Sequence, residues 1–507
     1  LSELGGIIAD LQSLGLCLDP EAPTRTGGAG PAEGGALVVG GRAVNLPTQS
    51  PFVADSPYTL RREGGQTLLC HRGEPIMPVE AVGRPRFFSL RTPEGVPYSR
   101  LALLHGRDCL ATTVLQTCVY WNTPSRCSFC GIELSLEAGH TVARKRPEQL
   151  AEVARAAREL DGVRHVVLTT GTASPPGAEL GLLAEAAAAI RRAAGLAVHA
   201  QFMPPCPQPE LERLRRAGVE TVGIHVESWD QRVLARHAPA KAALGRAAFE
   251  EAWARAVETF GPGQVSSFLL AGLGEEDDSL VEGARRLAEL GVYPFLVPLR
   301  PIPGSRLAAR RPPSARRMRG LYPRVARLLQ AAGLSAAQCR AGCVRCGACS
   351  ALAAWELPPL ALTCGPARTR AELEAAYALR HRVFVEEQGL FAQSDRDRHD
   401  PASIHLVARR EGGVVGTVRV YPVEGEEAAW VGGRLAVARG ERAGGAGEAL
   451  VREAVRTVRR RGCRRFTASI QEANVAWFRH LGWRPRGEPF LLQKRPHQLM
   501  QADLSSV

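Results

Sequence analysis

The stretch Leu110-Ala-Thr-Thr-Val-Leu-Gln-Thr117, followed at once by Cys118-x8-Cys127-x2-Cys130, decides how this chain is read. Its first part is a short apolar, β-branched run of the kind that forms a buried strand. The three cysteines then fall in the loop after that strand. Three thiolates can hold a [4Fe-4S] cluster while leaving one iron open. The same three, with a fourth ligand from elsewhere, would make a zinc knuckle. The sequence beyond the loop favours iron, because it is a regular series of strand-then-helix units. Strands are expected over 112–117, 164–170, 196–203, 220–226, 264–271 and 292–299, and helices near 147–160, 178–194, 208–217, 241–259, 277–290 and 314–332. Continuous apolar strands such as His165-Val-Val-Leu-Thr-Thr170, alternating with amphipathic helices, predict a parallel sheet covered by helices.

Composition sets the frame. A chain of 507 residues exceeds one hydrophobic core, and 45% hydrophobic content is that of a globular protein. The formal charge of +13 would suit a polyanionic partner, yet only three of the 64 basic residues are lysines (Lys145, Lys241, Lys494) and aromatics are 6%. With no basic tract interleaved with aromatics, nucleic-acid binding, tRNA included, is weakly supported. Seven of the thirteen cysteines lie in two tight groups, which reads as metal sites in a reducing cytosol rather than a secreted disulfide framework. The start of the chain lacks a basic region and a long apolar one, and no run of about 18 apolar residues offers a membrane span, so neither a signal peptide nor a membrane is expected.

The cysteine loop and the six strand-helix units resemble the radical S-adenosylmethionine (radical SAM) superfamily, whose usual loop is Cys-x3-Cys-x2-Cys with an aromatic before the last cysteine. Phe129 stands at the aromatic position, and the first gap is x8 instead of x3. The resemblance implies a partial (β/α)6 barrel, a [4Fe-4S] cluster on Cys118, Cys127 and Cys130, S-adenosylmethionine chelated at the open iron, and a flavodoxin, ferredoxin or reductase as electron donor. In parallel barrels chemistry collects on loops after the carboxyl ends of the strands. Cofactor contacts are therefore expected at Thr170 and Gly171 after the second strand, at Glu227 in Gly223-Ile-His225-Val-Glu227-Ser228 after the fourth, and at Gly272 and Gly274 after the fifth.

A second group, Cys339-x3-Cys343-x2-Cys346-x2-Cys349, has the literal x3, x2 spacing at its start, but no barrel follows it. Four thiolates in eleven residues suit a fully ligated auxiliary iron–sulfur cluster. A structural zinc site is the alternative. Dense spacing can also send one cysteine elsewhere, so that Cys364 or an upstream cysteine completes the set. Cys17, Cys70, Cys109, Cys206 and Cys463 are read as packed or incidental thiols.

After a connection at 350–362 the pattern changes. The strand Gly433-Arg434-Leu435-Ala436-Val437 leads into Arg442-x-x-Gly445-x-Gly447, whose glycines turn backbone N–H groups toward a pyrophosphate at a helix start. With Phe384-Val-Glu386-Glu387 and Asp395-x-Asp397-x-x-Asp400 upstream, and Asn474-x-x-Trp477-Phe478-Arg-His-Leu-Gly482-Trp483 downstream, this third resembles the GNAT superfamily of N-acetyltransferases. The resemblance implies an α+β domain that binds acetyl-CoA or another acyl-CoA through Leu435, Val437, Arg442, Gly445, Gly447 and Asn474. Glu386 and Glu387 are the candidates for deprotonating an amine. Phe478 stands where many members place a tyrosine that protonates the departing thiolate, and phenylalanine has no proton to give.

The expected class is therefore α/β, a partial (β/α)6 barrel with a carboxyl-terminal α+β GNAT-type domain. Boundaries are expected at 1–105, 106–335, 336–362 and 363–507. With Arg84-Pro-Arg-Phe87, Pro97-Tyr98, Leu104-His105-Gly106 and Cys109 ahead of the first strand, Arg345-Cys-Gly-Ala-Cys-Ser350 and the tail His497-Gln-Leu-Met-Gln-Ala-Asp503, the chain resembles a radical SAM protein and an N-acetyltransferase that accompany a nitrilase in a bacterial nitrogen-starvation gene cluster, here joined. That reading makes the chain a cytosolic bifunctional enzyme acting on a small metabolite. The catalytic subunit of Elongator, which modifies tRNA wobble uridines, has the same domain order and is the second reading. A non-catalytic iron–sulfur sensor or assembly protein is the third.

Overall fold

A computed structural model of the chain describes residues 2–18, 34–357, 361–410, 413–442, 445–493 and 495–505. Nearly all of the Gly- and Pro-rich loop at 20–35, and positions 443 and 444 of the glycine loop, lie outside the described residues. The chain divides into two compact units, Leu1–Gln330 with Leu334–Leu357, and Pro358–Val507 with Ala331–Gly333.

The first unit opens with the helix Ser2–Leu14 and an antiparallel sheet of β1 (Gly35–Val39), β2 (Arg42–Leu46), β3 (Tyr58–Glu63), β4 (Gln66–His71) and β5 (Glu74–Ala81), in the order β2-β1-β5-β4-β3. A second sheet follows, built from β6 (Leu103–His105), β7 (Cys109–Thr113), β8 (His165–Thr169), β9 (Ala197–Phe202), β10 (Val219–Ile224), β11 (Val265–Ala271) and β12 (Val292–Pro298). Its spatial order is the chain order, and all pairs are parallel except β6 with β7. The result is a curled half-barrel, as the strand-helix series predicts. Helices Pro147–Asp161, Glu179–Ala194, Gln208–Arg216, Pro239–Phe260 and Asp277–Glu289 connect its strands. The first two stop at left-handed glycines, Gly162 and Gly195, the residue type that position favours.

Paired residues on neighbouring strands share a face, so register separates two surfaces. One holds Leu110, Val166, Leu168, Val198, Ala200, Val222 and Ile224, nearly all fully buried apolar groups. The other holds His105, Cys109, His165, His199, Gln201, Thr221 and Gly223, which is polar and rich in imidazole. The first strand differs from its predicted span of 112–117. It starts at Cys109 and ends at Thr113, because Leu115 then bridges to Arg144 and Gln116 N–H donates to the Ala143 carbonyl, turning the chain out of the sheet before the cysteines.

The second unit is a seven-stranded sheet of β13 (Thr363–Pro366), β14 (Ile404–Arg410), β15 (Gly413–Pro422), β16 (Ala429–Val437), β17 (Arg465–Gln471), β18 (Trp483–Leu492) and β19 (Arg495–Ala502), in the order β13-β14-β15-β16-β17-β19-β18. Only β16 and β17 are parallel. Helix Ala446–Arg459 buries Leu450, Val451, Ala454, Val455 and Val458 in the core with Phe466, Phe478 and Trp483.

Candidate functional sites

At the end of β7 the loop of Cys118, Cys127 and Cys130 is held from several sides. Cys118 N–H donates to Glu133 Oε1 at 2.8 Å, Val119 N–H to the Thr172 carbonyl at 3.0 Å, and Ser128 N–H to the His237 carbonyl at 2.8 Å. Inside the loop the Arg126 guanidinium lies over the Trp121 ring. Gly171 belongs to this construction: a Cβ there would overlap the Thr117 carbonyl oxygen, so only glycine lets the exit of β8 pass behind the loop. Thr170 Oγ1 is turned onto the Gly171 carbonyl at 2.8 Å.

Glu227 sits just past β10 with φ of 71°, left-handed for a non-glycine residue, while its backbone pairs on both sides with β11. Its buried carboxylate accepts from Lys241 Nζ at 2.6 Å, and the same ammonium donates to the His225 carbonyl at 2.6 Å. Lys241 went unrecognised in the sequence reading, although its signal was available: it is one of only three lysines. Both charges act on the Cys127 thiol, which also feels Cys118, so cysteine loop and ion pair occupy one neighbourhood. Burial pushes the Cys127 thiol up and the Cys130 thiol to about 12, so ligation by either releases a proton. Burial drives the His225 imidazole well down, and its ring stacks on Phe268 at 4.0 Å.

After β11, Gly272 and Gly274 have φ of 110° and 113°. The space beside Gly272 is filled by Pro313 and Leu299, so this glycine packs the protein itself, whereas Gly274 faces the Arg310 guanidinium. Glu275 organises the turn by accepting from Gly272 N–H at 2.8 Å and from Arg317 at 3.0 Å.

The second cysteine group lies against the polar face of the half-barrel. Gly342 N–H donates to His165 Nδ1 at 3.2 Å, Thr221 Oγ1 to the Ala341 carbonyl at 3.2 Å, and Gln201 Nε2 to Cys343 Sγ at 3.1 Å. His105 reaches Cys346 Sγ through Nδ1 and Cys349 Sγ through Nε2, each at 3.3 Å. Cys339 donates its thiol to the Ala341 carbonyl at 3.2 Å. The first residues of the chain close over this segment. Gln12 Nε2 and Asn45 N–H both donate to the Ala348 carbonyl, and Asn45 Nδ2 meets His105 Nε2 at 2.8 Å. All thirteen cysteines are free, and among the described residues no three His, Cys, Asp or Glu side chains yet converge as a metal set. Soft thiolate donors are the chemistry that fits an iron–sulfur cluster.

In the second unit, pairing of β16 with β17 runs only from Ala429–Arg465 to Gly432–Ala468. Beyond it β16 carries a bulge, with Arg434 at φ of 56°, and residues 435–437 face no β17 partner. Leu435 and Val437 lie along this opening, and a Cβ on Gly447 would stand 3.6 Å from the Trp477 ring and 3.7 Å from Val437. Arg442 pairs with Glu387 and donates to the Val437 carbonyl at 3.2 Å, while Glu386 lies exposed beside His381 at 3.1 Å. Asn474 is exposed at the start of helix Val475–His480. Phe478 is buried in the core, edge-on to Trp483 at 5.3 Å. Asp395, Asp397 and Asp400 form a buried ion cluster with Arg380, Arg419 and Arg434.

Comparison with known proteins finds a family for each of two regions. The radical SAM superfamily matches residues 123–287, and the acetyltransferase (GNAT) family matches residues 370–483. A Bacillus subtilis (strain 168) protein named as an acetyltransferase is 31% identical over 132 residues, which is 25% of this chain and 88% of the relative. An N-acetyltransferase structure from Lactobacillus plantarum shares 25% identity, covering 28% of this chain and 99% of its own, with a TM-score of 0.27. An acyl-CoA N-acyltransferase from Pseudomonas aeruginosa shares 26%, with the same coverages and a TM-score of 0.25. No helix among the described residues is long and apolar enough to cross a membrane. The chain is thus an enzyme in which a radical SAM domain is fused to a carboxyl-terminal domain that belongs to the GNAT acetyltransferase family.

Proposed function

We propose that the chain is a cytosolic bifunctional enzyme that makes a carbon-centred radical on a small nitrogen-containing metabolite and acylates an amine on it or on a related compound. The observation that carries this reading is the three-thiol loop placed beside the buried Glu227–Lys241 pair at the carboxyl ends of the half-barrel strands. Cys118, Cys127 and Cys130 would hold a [4Fe-4S] cluster, which supplies one-electron reduction of S-adenosylmethionine when an electron donor such as a flavodoxin or ferredoxin is present. Glu227 and Lys241 offer one anion and one cation for the amino and carboxylate groups of that cofactor, and the strained Glu227 backbone fixes where they point. Gly171 keeps the exit of β8 close to the loop, and Gly274 leaves room near Arg310. A second iron–sulfur cluster on the cysteine segment after the barrel would relay electrons or anchor substrate.

In the second unit, the opening beside Leu435 and Val437 would take acetyl-CoA or another acyl-CoA, with Arg442 and the helix start at Gly445 and Gly447 on the pyrophosphate. Glu386 is the carboxylate that remains exposed to accept the amine proton, since Glu387 is engaged by Arg442. Phe478 is sequestered in the core, so water or another group returns a proton to the thiolate. The resemblance to proteins of the nitrilase-associated nitrogen-starvation cluster points the substrate search toward nitrogen metabolites.

Anaerobic reconstitution, followed by S-adenosylmethionine and dithionite, tests the reading through 5′-deoxyadenosine. Product from the wild type and none from Cys127→Ala is expected. Iron- and sulfide-replete wild type that yields no product would overturn it in favour of a sensor or assembly protein.

A further inference from the structure

Within the auxiliary-cluster reading, on which this inference rests, we propose that the four ligands are Cys109, Cys343, Cys346 and Cys349, with Cys109 in the place of Cys339. Cys109 begins β7, far in sequence from the other three. Three observations bring it to them.

First, His105 and Cys109 are direct partners across the β6–β7 hairpin, so their side chains leave the same face at one level. That face is the one on which residues 341–349 lie, fixed there by His165, Gln201 and Thr221. Secondly, His105 touches both Cys346 and Cys349, and Cys346 Sγ also lies 3.8 Å from the carbonyl of His105, the residue that Cys109 faces across the hairpin. Cys346 Sγ presses so closely on the hairpin turn that a Cβ on Gly106 would lie 2.8 Å from it. Thirdly, Cys109 is 0% exposed, and the residues paired beside it on this face, His105 and His165, are polar imidazoles that also meet the 341–349 segment.

The spacing agrees. Cys-x2-Cys-x2-Cys is the three-ligand run of bacterial ferredoxins, in which the adjacent fourth cysteine goes to a different cluster and the set is completed from a distance. Here residues 343, 346 and 349 form that run, Cys339 is committed to the Ala341 carbonyl, and Cys109 is the distant thiol at hand. Each cysteine binds as its thiolate, and any proton it carries leaves to solvent. Gln201 on Cys343 and Asn45 on Cys349, the latter at 3.8 Å, already supply N–H donors to the sulfurs, the arrangement that tunes a cluster's potential.

The test uses the full chain carrying Cys118→Ala, Cys127→Ala and Cys130→Ala, so that only the second site can load. After anaerobic reconstitution with iron and sulfide, this chain is expected to retain about four iron and four sulfide. Adding Cys339→Ser should leave both values and the reduced electron paramagnetic resonance spectrum unchanged. Adding Cys109→Ser should cut iron at least twofold. Because a serine in this buried position can disturb folding, Cys109→Asp is made in parallel; it keeps an anionic ligand, and a changed spectrum at retained iron is expected. An unchanged spectrum in Cys109→Asp, or iron lost in Cys339→Ser and kept in Cys109→Ser, would overturn the ligand assignment and leave the auxiliary cluster standing. Zinc without sulfide, or no metal, in the starting chain would overturn the auxiliary cluster itself.

Discussion

Lys241 ties the helix Pro239–Phe260 to the end of β10 by donating to Glu227 and to the His225 carbonyl, both at 2.6 Å, with little of either charged side chain open to water. Removing one partner leaves a buried charge alone. Lys241→Met should therefore destabilise the first unit by about 3–5 kcal/mol, and adding Glu227→Gln should recover part of the loss. Urea unfolding of the wild type and the two variants measures this, and a merely solvated pair would show less than about 1 kcal/mol.

Gly171→Ala should abolish S-adenosylmethionine cleavage while the second unit stays folded. The new Cβ overlaps backbone, the Thr117 carbonyl, and cannot be relieved by a rotamer change, so the chain between Thr117 and the first cysteine must move. The readout is 5′-deoxyadenosine beside acetyl-CoA turnover, which should be retained.

Arg442→Ala should raise the KM for acetyl-CoA by about tenfold to a hundredfold, the range of one charge-assisted hydrogen bond, with kcat little changed. Glu387→Gln frees Arg442 from its ion pair and should not raise that KM. A comparable fall in kcat in both variants would instead place Glu387 in proton transfer.

Acid should unfold the second unit early. Asp397 and Asp400 are both held below the usual carboxylate range, where burial would raise them and the guanidinium hydrogen bonds, from Arg419 and Arg380 respectively, win. A depressed folded value means stability that is present above the unfolded pKa of about 3.9 and is lost as pH falls through the folded value. Unfolding midpoints should thus drop steeply below about pH 4, and Arg380→Met, which removes the fully buried guanidinium shared by Asp395 and Asp400, should cost about 3–5 kcal/mol at neutral pH.

Much of the half-barrel was legible in the sequence, because each parallel strand is apolar over its whole length and each helix has its own amphipathic period. His165–Thr169, Ala197–Phe202 and Val292–Pro298 lie within a residue or so of their expected spans. What escaped was set by long-range pairing. Three residues, Leu103–His105, are too few to show a period, yet they add an antiparallel edge and bring His105 to Cys346. Cys109 reads in sequence as a packed thiol and is fully buried, and only the pairing of β6 with β7 sets it beside His105. Lys241 lies in a helix between two strands, and only the turn after β10 shows which carboxylate it meets. Phe478 matches its motif in sequence but points into the core, since Trp483 and Trp477 pack on it.

The scarcity of lysine has a further consequence. A domain that handles acyl thioesters exposes neighbouring amines to unwanted acylation, and primary amines are the groups at risk. Of the three lysines, Lys494 lies outside the described residues, Lys145 is almost wholly buried, bonded to the Thr113 carbonyl and Gln116, and lowered by burial to about 7, and Lys241 is locked between Glu227 and His225. The basic surface is arginine, whose guanidinium stays protonated and is a poor nucleophile. Among the described residues, surface positive charge is thereby carried in a form that an acyl thioester leaves unmodified.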